Sequence, residues 1–75
     1  MATIKADTAR NSYIEVDLPA GEALRLTLVG SGSGGTFRLR LQHDGLGGLQ
    51  PGPEIPAESL GKVVDAAVQL LLSRP

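Results

Sequence analysis

The sequence predicts an α+β fold: an antiparallel sheet of three to four strands followed by one C-terminal amphipathic helix packed on one sheet face, in a chain that pairs with a second copy. Three observations predict it. From Tyr13 to Gln42 apolar and polar residues alternate, which is the period of a half-buried strand. After Pro56 the period becomes helical and holds to the C-terminus. Between these stretches, clusters of proline and glycine punctuate the chain as turns do.

The elements follow in order within a single domain spanning residues 1–75. Residues 1–11 hold a short apolar start, Thr3-Ile4, then mixed charges without a period. They read as an arm that orders only on docking, or as a weak edge strand. The sheet is expected over residues 13–55. Tyr13–Leu18 alternates, Pro19-Ala20-Gly21-Glu22-Ala23 supplies turn chemistry, and Ala23–Val29 alternates again, which makes a hairpin. Paired residues share a face, so the apolar set suggests Leu18 opposite Leu24, Val16 opposite Leu26 and Ile14 opposite Leu28. Asp17 then meets Arg25, and Glu15 meets Thr27.

The segment Gly30–Gly35 has linker composition and should be mobile. Beyond it, pairing Leu28 with Phe37 sets Leu26 against Leu39, Leu24 against Leu41, and Arg25 beside Arg40. From His43 to Pro53 glycine and proline dominate, with Leu46 and Leu49 as apolar anchors. A short fourth strand is expected around Leu49–Ile55, at an edge, because Pro51, Pro53 and Pro56 lack donors.

The helix is expected over residues 56–73. A proline in the first turn sacrifices no intrahelical bond, and Glu58 suits the positive end of the dipole. Pro75 is its stop. Leu60, Val63, Val64, Ala67, Val68 and Leu71 form one stripe, with Glu58, Lys62, Asp65, Gln69 and Ser73 opposite. That stripe is expected to cover the sheet. Leu70 and Leu72 flank it and widen the apolar sector beyond what a small sheet needs. They are candidate dimer-interface residues, unless the arm or the Leu46–Leu49 loop shields them.

Size and composition narrow the function. A chain of 75 residues buries only about 60% of its unfolded surface. It has no cysteine and a single histidine, His43, so neither disulfides nor a closed metal site can reinforce it. Self-association into a homodimer is the expected remedy. No apolar run approaches the ~20 residues of a membrane span, and residues 1–12 carry Lys5, Asp7 and Arg10 without an apolar signal core. A cytoplasmic chain without membrane contact is therefore expected. The formal net charge of −1 provides no overall basic field.

Motifs for catalysis are weak. Gly30-Ser31-Gly32-Ser33-Gly34-Gly35 lacks the Lys-Ser/Thr that completes a phosphate loop and sits in a hairpin. His43-Asp44 has no nucleophile beside it and reads as a turn-forming pair. No catalytic residue, metal site or cofactor is expected, and the chain is read as not an enzyme.

The alternation does gather Arg25, Arg38 and Arg40 on one face beside Thr27, with Tyr13 as that face's one aromatic. Arginines on neighbouring strands offer forked donors to phosphate oxygens. The alternative is that Asp17 and Glu15 neutralise them across strands. Leu26 falls on the opposite, apolar face, so aspartate should be tolerated at Thr27 and not at Leu26.

A strand ending in Asp17-Leu18, the strand Leu24–Val29, the strand Phe37-Arg38-Leu39-Arg40-Leu41, the segment Leu49–Ile55 and a helix opening Pro56-Ala57-Glu58-Ser59-Leu60 resemble, in order and length, the positive-cofactor-four family of transcriptional coactivators. The resemblance spans Tyr13–Leu72. It implies four antiparallel strands and a helix, dimerisation through helix and sheet, and binding of single-stranded DNA on the strand face. Arg25, Arg38 and Arg40 would take the place of the family's strand-borne basic contacts. Pro53-Glu54 stands where the family carries a basic Lys-Gly pair.

The resulting expectation is a non-catalytic, dimeric, transcription-regulator-like module that binds single-stranded nucleic acid through Tyr13, Arg25, Thr27, Arg38 and Arg40. The alternative is a small modulator or inhibitor of a protein partner, of the kind phages encode, with the same fold.

Overall fold

The computed structural model describes residues 3–30 and 37–74. The fold is α+β. Among the described residues six strands, β1 (Lys5–Ala6), β2 (Ser12–Asp17), β3 (Ala23–Val29), β4 (Arg38–Gly45), β5 (Gly48–Leu49) and β6 (Glu54–Pro56), precede one helix, α1 (Leu60–Leu72). Strands β1 to β4 lie side by side in sequence order, and all pairings are antiparallel. Residues 31–35 of the expected mobile connection Gly30–Gly35 lie outside the described residues.

The arm is a hairpin. Arg10, at φ 65°, turns the chain, and the Asp7 carboxylate accepts the Asn11 backbone N–H at 2.8 Å, which brings β1 beside β2. Of the two expectations for the arm, the described residues show the edge strand, at Lys5–Ala6.

Both registers differ from expectation by two residues. In the first hairpin Ile14 opposes Leu26, Val16 opposes Leu24 and Glu15 opposes Arg25, while Asp17 meets Ala23. Turn geometry is the cause. Ala20 (φ 65°) and Gly21 (φ 75°) wind the chain tightly enough for the Leu18 N–H to reach the Glu22 carbonyl at 2.8 Å, leaving a three-residue loop, Pro19–Gly21. In the second pair Leu28 opposes Leu39, Leu26 opposes Leu41, Thr27 opposes Arg40, and Arg25 opposes Gln42 rather than lying beside Arg40. A shift of two preserves side-chain parity, so the division into faces holds.

The expected fourth strand is split. Both β5 and β6 pair with the outer edge of β4, at its two ends, and residues 50–53 arch between them. The prolines at 51 and 53 supply no N–H, yet the Pro53 carbonyl accepts from Leu41 N–H at 2.9 Å and His43 O accepts from Gln50 N–H at 2.8 Å. Gly52 passes so close to β4 that a Cβ there would collide with the Leu41 carbonyl oxygen. Gly52→Ala should therefore push the segment off β4 at a cost of about 1–3 kcal/mol. The check is the Leu41 amide, whose hydrogen exchange should accelerate more than that of Leu26.

The helix does not pack on the sheet of its own chain, contrary to expectation. Every residue from 61 to 74 is exposed, and the stripe residues Val63, Val64, Val68 and Leu71 retain 43, 53, 46 and 62% of their surface. A single 3-10 turn, Ala57–Ser59, joins β6 directly to α1, so no loop is available to fold the helix back. The radius of gyration is 14.0 Å, against ~11 Å for a compact domain of this length. Among the described residues no apolar side chain is buried. Such a chain has little with which to offset roughly 1–2 kcal/mol of backbone entropy per ordered residue.

Candidate nucleic-acid interface

The registers place the polar side chains in rows across the sheet. One row runs Lys5, Tyr13, Thr27, Arg40, Glu54 over five strands; on one side lies Glu15, Arg25, Gln42, and on the other Val29, Arg38, Pro56. Tyr13, Arg25, Thr27, Arg38 and Arg40 therefore share a face.

Two clusters form on it. In the first, the Arg25 guanidinium carbon stands 4.2 Å from the centre of the Tyr13 ring, a cation–π distance, while its Nη2 and Nε donate to Glu15 Oε2 at 3.3 and 3.4 Å. Lys5 Nζ approaches the other Glu15 oxygen at 3.8 Å. In the second, one carboxylate bridges two guanidinium groups. Arg38 Nε donates to Glu54 Oε1 at 2.8 Å, and Arg40 donates from Nε and Nη2 to Glu54 Oε2 at 3.1 Å each. Hydrogen bonds from Arg38 and then Arg40 hold the Glu54 carboxyl below its ordinary pKa. Because the folded value is the lower one, this link is in place at neutral pH and is lost only as pH falls through that lowered value.

Thr27 occupies the middle of the face and is only 1% exposed. Tyr13 and Arg40 flank it across the strands, and Arg25 lies two residues along β3 on the same face, so longer side chains surround it. Thr27 is thus shielded while those neighbours stay in place, and an aspartate there would have to be accommodated among them at some cost in stability. Glu15, rather than Asp17, neutralises Arg25. Lys5 and Glu54 join the site although alternation did not single them out. For Glu54 the available signal was a carboxylate between two prolines on an edge strand that must lie beside a strand bearing two arginines.

His43 and Asp44 point apart. His43 Nε2 lies 3.4 Å from Glu22, whereas Asp44 is paired in register with Ala23 and Leu49. Among the described residues no cluster of three or more His, Cys, Asp or Glu could hold a metal ion, and no helix is long and apolar enough to cross a membrane. On the opposite face a shallow apolar concavity of about 250 Å³ is lined by Ile4, Ile14, Leu26, Leu28 and Leu39. Leu70 and Leu72 stand away from both sheet faces on the exposed helix, at 74 and 79% exposure. No family model, curated protein or solved structure matches the chain.

Proposed function

We propose that this chain is a non-catalytic cytosolic binding module that works as a homodimer and holds single-stranded nucleic acid across its charged sheet face, in a regulatory role. The observation that carries the reading is the gathering of Arg25, Arg38 and Arg40 on one sheet face with Tyr13, over whose ring Arg25 stacks. Forked donors can grip phosphates there, and a ring already stacked on a cation can accept a base. The carboxylates now on those arginines are partly exposed, and exposed pairs contribute at most about 1 kcal/mol, so phosphate can exchange for them. The resemblance to the positive-cofactor-four family supports the same reading.

Dimerisation rests on the other face. The concavity around Leu26 and the stripe of α1 are both apolar and both uncovered in one chain, so each suits the other in a second copy. Leu70 and Leu72 extend that contact at the helix end. A second reading, a modulator of a protein partner without nucleic-acid binding, is favoured by the carboxylate that each of the three arginines already holds.

The deciding experiment is a titration of labelled oligothymidine at low salt, repeated as salt is raised, with Arg40→Glu alongside. Binding that weakens with salt and is lost in the variant is expected. Absence of binding by the native chain at low salt overturns the nucleic-acid reading and leaves the protein modulator.

A further inference from the structure

Arg38 presents its Nε, and Arg40 its Nε and Nη2, to one point above β4, and a chain carboxylate fills that point. Both oxygens of Glu54 are used, one per guanidinium, at 2.8 and 3.1 Å. Two oxygens of a phosphodiester could take the same pair of donors, because arginine forks accept carboxylate and phosphate alike. The geometry points to Glu54 as an internal stand-in for phosphate, which occupies the Arg38–Arg40 anion site and must be displaced before a nucleic-acid backbone can enter. This rests on the nucleic-acid reading above.

Three features separate Glu54 from a casual surface ion pair. Its backbone is fixed by strand pairing, with Glu54 opposite Arg40 and Ile55 opposite Leu39, so the carboxylate is held at high effective concentration over the site. It hydrogen-bonds two guanidinium groups at 2.8–3.1 Å, whereas Glu15 hydrogen-bonds one, Arg25, at 3.3–3.4 Å and meets Lys5 only at 3.8 Å, while Arg25 keeps its stack on Tyr13. It also stays ionised at any pH near neutral, since both arginines favour the charged form. The consequence is a binding face whose affinity is held down by its own chain, and whose selectivity favours ligands with a phosphate able to replace the carboxylate.

The test compares labelled oligothymidine binding to the native chain, Glu54→Gln and Glu58→Gln over a range of salt. Glutamine keeps the shape of glutamate and removes its charge, and Glu58, exposed in the 3-10 turn before α1, controls for net charge alone. Glu54→Gln is expected to bind roughly three- to tenfold tighter than native, with a log–log salt slope steeper by about 0.7 for each phosphate newly engaged. Glu58→Gln should match the native chain. Tight binding by Glu54→Gln with none by the native chain would support the inference and overturn the nucleic-acid reading for the native protein. Native binding that Glu54→Gln leaves unchanged, or raises no more than Glu58→Gln does, would overturn the inference and leave the reading standing. Absence of binding by all three would overturn both.

Discussion

Leu26→Asp is expected to abolish both dimerisation and the cooperative fold. Leu26 lies at the centre of the apolar sheet face, between Ile14 on β2 and Leu41 on β4, and lines the concavity proposed to receive α1 of a second copy. An unpaired carboxylate there, once covered, costs several kcal/mol, a large part of the 5–15 kcal/mol that stabilises an ordinary domain. Sedimentation and a thermal melt followed by circular dichroism read the two effects. The native chain should sediment as a dimer of the 7.8 kDa polypeptide, and the variant as a monomer with no cooperative transition. Thr27→Asp provides the contrast. Thr27 is buried on the charged face, so its replacement should lower stability by about 1–3 kcal/mol while leaving the dimer intact. A Leu26→Asp chain that stays dimeric and melts like the native one would remove the apolar face from the interface.

The contrast between Leu26 and Thr27 shows what could be read from residues alone. Alternation fixes parity, and parity is a property of each strand, so the assignment of Leu26 and Arg40 to opposite faces survived registers that moved by two residues. The registers themselves were out of reach because they depend on how tightly Pro19-Ala20-Gly21 closes, and left-handed backbone at Ala20 is not something an alanine advertises. The burial of Thr27 depends on the reach of its neighbours: a short residue ringed by Tyr13, Arg25 and Arg40 is shielded by side chains that are themselves solvated. Glu54 was hidden by the break in the fourth strand, where the prolines and the Gly52 contact decide which residues return to β4. The helix does carry the apolar stripe that its period implies. Periodicity states that such a stripe needs an apolar contact and is silent on which chain provides it, and here the sheet of the same chain does not.

Replacing Arg25, Arg38 and Arg40 together with alanine should remove nearly all affinity for oligothymidine, the largest functional change proposed for this face. Each phosphate neutralised contributes about 0.7 to the single-strand log–log salt slope, so losing one phosphate at the Arg38–Arg40 site and one at Arg25 should flatten it by about 1.4. Charge-assisted hydrogen bonds are roughly twice as strong as neutral ones, which puts the loss at low salt on the order of a hundredfold or more. Folding should be far less affected, because the pairs removed are partly exposed and Glu15 and Glu54 remain within reach of water. The melt and the sedimentation of the triple variant should accordingly stay close to native, which separates loss of a binding face from loss of the domain. Should binding persist with an unchanged slope, the contacts would have to come from the remaining cations, Lys5, Arg10, Lys62 or Arg74, and the charged face of the sheet would no longer be the interface.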